Sequence, residues 1–187
     1  MEIEKNYFFT GKTKVVDGVT LKQIECEEYG VGGWIENESN LAQEGECWVS
    51  DDAMVYGNAK VYGDAKVCNR SIVRGNAKVG GKVKICNYAK VFENAMVTGD
   101  AKVDNYAYVG DDAIVYGKAY ISGCSSVYDS AIVFGNAKVD HWAQVCGRAK
   151  VYGNAKVCET AKVCDNAQVF GKARVESDVC GYNVIKD

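Results

Sequence analysis

The chain has 187 residues, 48% of them hydrophobic, no proline and a formal net charge of −3. Such a composition supports one domain with its own core and gives no global attraction to nucleic acid or anionic membrane. Residues 1 to 30 lack the apolar run of a signal peptide, and no window reaches the length of a membrane span, so a cytoplasmic protein without membrane contact is expected.

Residues 1–46 precede any regular pattern and read as a β-hairpin and capping segment. The hairpin centres on Asp17-Gly18, because that dipeptide between β-formers from Lys14 to Leu21 supplies a tight turn. Trp34, Ile35, Leu41 and Trp48 are the expected plug over whatever core follows. Gly11-Lys12-Thr13 ends like a phosphate loop, but Asn6 stands where the first glycine belongs, so that match fails.

From Val49 to Val175 every sixth residue is Val or Ile, and the fourth residue after each is Ala in 18 of 22 hexads, with Ser71, Val83, Ser125 and Val179 as the exceptions. A period of six suits neither a helical turn nor simple strand alternation; it describes a coil that returns on itself. The aliphatic faces inward from a short extended segment, and the Gly, Asn and Asp that follow tolerate the backbone of a corner. Three hexads then make one triangular coil of 18 residues, giving an all-β parallel β-helix of about seven coils over residues 47–180 and a short tail at 181–187.

Residues at this spacing stack in columns. One face carries a basic ladder, Lys66, Lys84, Lys102, Lys138, Lys156 and Arg174, with Tyr120 in the series and Cys68, Cys86, Asp104, Ser122, Asp140, Cys158 and Glu176 alongside. Such a ladder could hold a polyanion, but the acids beside it make a solvated face the preferred reading, and nucleic acid is not the expected partner. Another face carries Met96, Ile114 and Ile132 beside Tyr116, Phe134, Tyr152 and Phe170, an apolar surface suited to burial against another subunit. One corner has an unbroken glycine column from Gly63 to Gly171, which calls for a positive backbone angle. Another has Tyr88, Tyr106 and Trp142, with Cys124 in the row, as a platform for a flat ligand or partner. Cys68 and Cys86, like Cys146 and Cys164, fall one coil apart; small apolar packing rather than a redox clip is the preferred reading, since nine cysteines is an odd number and no C-x-x-C occurs.

V-x-G-N-A-K units such as Val55-Tyr56-Gly57-Asn58-Ala59-Lys60 resemble the hexapeptide repeat of left-handed parallel β-helix proteins. The leader elements G-V-T-L-K-Q-I and G-G-W-I-E-N-E-S-N-L resemble the front end of a bacterial and phage group described as hexapeptide-repeat acyltransferases. The resemblance implies a left-handed coil, assembly as a trimer or dimer, and acyl transfer from acetyl-CoA at a site between subunits, with a histidine as general base. His141 is the single histidine, and no loop interrupts the hexads. A β-helical carbonic anhydrase would need three zinc-binding histidines, and an ice-binding β-helix would show threonine ladders, so neither fits. The expected protein is a non-catalytic or catalytically degenerate homo-oligomeric scaffold, with no metal or cofactor. A CoA-dependent O- or N-acyltransferase using His141, or a polyanion binder along the lysine ladder, are the alternatives.

Overall fold

Val61, Val79 and Val97 lie atop one another as successive partners in one parallel ladder, and the same relation repeats along all three walls of the chain. The computed structural model, which describes residues 6–187, is an all-β parallel solenoid of about 8 turns with 18-residue spacing. Its strands form one 10-stranded and two 8-stranded sheets, and most strands are two residues long, an outward residue followed by the inward aliphatic. Every aliphatic of the series from Val49 to Val169 is at most 1% exposed, and the Ala four places on is equally hidden as far as Ala167, so the core is a continuous column of Val and Ala. Ser71 and Ser125 replace Ala without an unsatisfied hydroxyl, because Ser71 Oγ reaches Cys68 O at 2.8 Å and Ser125 Oγ reaches Ser122 O at 2.7 Å.

The corners follow from a single backbone requirement. The second residue after the aliphatic has a positive φ in 21 of the hexads, taken by glycine in eleven and by Asp, Asn, Glu or His in ten. The glycine column has the expected backbone, with φ between 69° and 76° from Gly63 to Gly171. Where Asp or Asn holds this position, its side chain often accepts the backbone N–H at the same corner of the following coil, as Asp111 does from Asp129 N (3.1 Å) and Asp129 from Gly147 N (2.8 Å).

Both ends extend the stack beyond the regular hexads, which accounts for about eight turns rather than seven. At the front, β1 (Phe8–Val16) and β2 (Val19–Cys26) form the hairpin, with Asp17 and Gly18 both at positive φ, and β3 (Gly30–Ile35) pairs in parallel with Met54-Val55. Ile35 thus sits over Val55 and Leu41 over Val61, each 20 residues away instead of 18. The two extra residues fall between Leu41 and Val49, which are eight apart where Val61 and Val67 are six apart. A short 3-10 turn, Glu38–Asn40, forms the corner before Leu41, and its Asn40 is fully buried and donates through Nδ2 to Gly57 O and Ala59 O, both at 2.9 Å. The open core is covered by Tyr7 and Ile24 with Leu41 and Trp48, whereas Trp34 turns outward, with Lys14 Nζ 4.4 Å above its ring. At the far end the period shortens: Val179 pairs with Val163, and the last strand, Val184–Lys186, pairs with Gln168–Phe170, both at a spacing of 16. No helix among the described residues is long and apolar enough to cross a membrane.

Candidate functional site

The rigid register makes each outer column a real row of neighbours. On the apolar face Met96 pairs with Ile114 and Ile114 with Ile132. Beside them Tyr116, Phe134, Tyr152 and Phe170 form one stack, with centroids 4.9, 4.8 and 4.9 Å apart and planes within 5° of parallel. The coil rise sets this spacing, so the rings meet without any side chain leaving its ladder position. All seven residues remain at least partly open to solvent, and Tyr116 is 37% exposed. Sequence columns and structure agree here on which residues share the surface.

The corner platform is only partly assembled. Tyr88 and Tyr106 stack at 4.9 Å and 6°, and Arg70 Nη1 donates to the Tyr88 hydroxyl at 3.0 Å. Trp142 lies two coils beyond Tyr106, separated by Cys124, and is 65% exposed. His141 occupies the positive-φ corner position next to Trp142, with φ 60°. Its Nδ1 is 2.7 Å from Asp140 Oδ1, and Asp140 Oδ2 is 3.1 Å from Lys156 Nζ. Burial pushes the Asp140 carboxyl up, but the hydrogen bonds from His141 and Lys156 outweigh it and hold the group below the ordinary aspartate range. The imidazole is therefore oriented by a carboxylate, as a general base would be. It stands on an open corner, however, and lines neither of two surface hollows nearer the front. One, of about 480 Å³, lies at the front between Tyr7, Tyr29, Cys47 and Trp48; the other, of about 340 Å³, lies between Asp51, Asn69, Arg70 and Tyr88.

The basic ladder is in register from Lys66 to Arg174 but is largely engaged. Lys66 caps the Tyr29 ring at 4.4 Å and donates to Glu46 O; Lys102 pairs with Asp104 at 2.7 Å, Lys156 with Asp140, and Arg174 with Glu176 at 2.5 Å. Among the described residues, Lys84 and Lys138 alone in this ladder lack an acidic or carbonyl partner. Tyr120 interrupts the column between Lys102 and Lys138.

The cysteines differ from the sequence expectation. Cys68 and Cys86 are joined by a disulfide across one coil, with Cα atoms 4.8 Å apart, and Cys164 is joined to Cys180 rather than left beside Cys146. Packing as a small apolar residue describes Cys47, Cys146 and Cys158, which are buried and free. The Cys180 partner escaped sequence reading because the shortened last coil places it 16 residues from Cys164, off the 18-residue comb. Asp140 as the group orienting His141 was also missed; its signal was adjacency to the histidine in a column otherwise read as neutralising the lysines.

Fold and surfaces together define a class, the parallel β-solenoids with outward ladders. No family model matches the chain, and no curated protein matches its sequence.

Proposed function

We propose that the protein is a rigid, non-catalytic β-solenoid scaffold that joins a second copy of itself, as a dimer or trimer, through the apolar face and presents its other surfaces to a macromolecular or small-ligand partner. The observation that carries this reading is the four-ring stack of Tyr116, Phe134, Tyr152 and Phe170 beside Met96, Ile114 and Ile132. These side chains are already ordered by the ladder, so burying what remains exposed costs little further conformational entropy, while each square ångström of apolar surface removed from water contributes about 25 cal/mol. A soluble chain holding such a surface open gains nothing from it; a partner face of the same kind converts it into an interface. Sedimentation tests the reading. Wild type is expected to run above the mass of one chain, and Ile114→Asp/Phe134→Asp to run as a single chain with unchanged circular dichroism. An unchanged mass in the variant overturns it.

A second reading has one observation in its favour. The Asp140–His141 contact orients an imidazole as acyl transfer to a hydroxyl or amine would require, and the leader resemblance points the same way. If a neighbouring subunit closed a pocket over this corner, acetyl-CoA would raise the melting temperature of wild type, and His141→Ala would abolish the effect. The basic ladder supports polyanion binding less well, since four of its six cations already have partners. Salt-sensitive retention on heparin, lost in Lys84→Glu/Lys102→Glu, would revive it.

A further inference from the structure

Three cysteines occupy equivalent outward positions on three successive coils at the C-terminal end. Cys146 follows Val145, Cys164 follows Val163 and Cys180 follows Val179, each one residue past an inward aliphatic. The backbone repeats the relation: Cys146 N donates to Val163 O at 2.9 Å, and Cys164 N to Val179 O at 3.0 Å. One bond and one thiol share this column, with Cys164–Cys180 oxidised and Cys146 free. We propose that the Cys146–Cys164–Cys180 column is a thiol–disulfide exchange site in which the bond moves one coil along the ladder.

The chain itself contains the precedent for the second bonding arrangement. Cys68 and Cys86 stand in the same one-coil, 18-residue relation as Cys146 and Cys164, at the same step past the inward aliphatic, and they are bonded. A Cα separation of 4.8 Å falls within the range a disulfide bridges, so a neighbouring coil at this position meets the geometric requirement without backbone movement. The column also suits the transfer. Displacement at sulfur goes through attack on the far side of the breaking bond, and three side chains rising from one straight ladder place the attacking, central and leaving sulfurs in sequence along the solenoid axis. The same straightness argues against one metal ion held by all three thiolates, because Cys146 and Cys180 are two coil rises apart.

The step balances within the protein. Cys146 loses its proton to solvent, its thiolate attacks Cys164 Sγ, the Cys146–Cys164 bond forms as the Cys164–Cys180 bond breaks, and the electron pair leaves on Cys180 Sγ, which takes up a proton. One disulfide and one thiol exist before and after, so no oxidant or reductant is consumed. The consequence falls on the last turn. With its bond moved to Cys146, Cys164 no longer clips the final coil, and Val184–Lys186 is held by its backbone pairing with Gln168–Phe170. Cys146 is shielded from reagents, being 4% exposed, whereas Cys164 and Cys180 are more open. Tyr128 stands one coil before Cys146 in the same column, and its hydroxyl donates to Gln144 Oε1 at 3.1 Å.

Trypsin separates the sulfurs cleanly, with Cys146 in 139–148, Cys164 in 163–172, Cys180 in 175–186 and the free Cys158 in 157–162. Full-length protein held in a glutathione redox buffer, quenched in acid, alkylated and digested, is expected to give the 163–172/175–186 crosslink together with a minor 139–148/163–172 crosslink. Cys180→Ser should raise the second species about tenfold, to the main form of Cys164, because the competing leaving group is gone. Cys146→Ser should show the first crosslink alone, and Cys158, on another wall, should never enter. Cys146 recovered fully alkylated from wild type, or crosslinks to 157–162 as abundant as those to 139–148, would overturn the proposal. If Cys180→Ser loses its circular dichroism, the wild-type digest decides by itself. A folded Cys180→Ser in which Cys164 ends as a glutathione adduct beside free Cys146 would also overturn it.

Discussion

At the scale of single residues, the corner decides what the sequence tolerates. Gly117 has φ 73°, and a Cβ there would stand 3.0 Å from Gly135 N on the next coil. Gly117→Val should therefore lower the unfolding free energy by about 1–2 kcal/mol or more in chemical denaturation, the cost of a left-handed β-branched residue. Gly117→Asn should cost less, since Asn69, Asn87 and Asn105 already hold the same position of the hexad, with positive φ, at another corner. Acid should act through Asp104 and Asp140. Burial raises both carboxyls, but Lys102 and the Asn105 N–H at Asp104, and His141 and Lys156 at Asp140, outweigh it and hold both pKa values down. A lowered folded pKa gives stability that is present above the unfolded value of about 3.9 and is lost as pH falls through the folded value. Denaturant midpoints should thus drop below about pH 4, and less steeply in Asp104→Asn/Asp140→Asn. The positive-φ glycines were legible from sequence because glycine recurs at one step of the period. His141, Glu93 and Glu159 at the same backbone angle were not, since their side chains carry no sign of it.

At the scale of elements, what the period specifies was readable and what departs from it was not. Register from Val49 to Val175 follows from counting by 18, so the columns of the apolar face and the lysine ladder could be written down directly. Ile35 and Leu41 belong to the same walls but at a spacing of 20, and Val179 and Ile185 at 16. Changes of corner length preserve the stacking of strands while removing the numerical signal, which is why the leader read only as a cap and Cys180 entered no cysteine column. Asn40 braces the front corner from inside, because it satisfies two carbonyls in the core. Asn40→Ala should leave Gly57 O and Ala59 O without that donor and cost about 1–3 kcal/mol. Native-state hydrogen exchange should show the loss as faster exchange through the front coils rather than along the whole solenoid.

At the scale of the whole molecule, three walls built by one rule differ only in what they turn outward. One is charged and internally paired, one begins with the hairpin, and one is apolar with its rings stacked at the coil rise. The apolar wall is where the account places the second copy of the chain. The unmodified protein carries its own comparison: Met96 stands on that wall and Met54 on the wall continued by the hairpin, and both are partly buried in the single chain. Tyr106 on the corner, 63% exposed, reports free solvent. Hydroxyl-radical footprinting across a concentration series is the most direct measurement. Labelling of Met96, Phe134 and Tyr152 should fall as concentration rises while Met54 and Tyr106 stay constant; equal labelling of Met96 and Met54 at every concentration would contradict assembly through this wall.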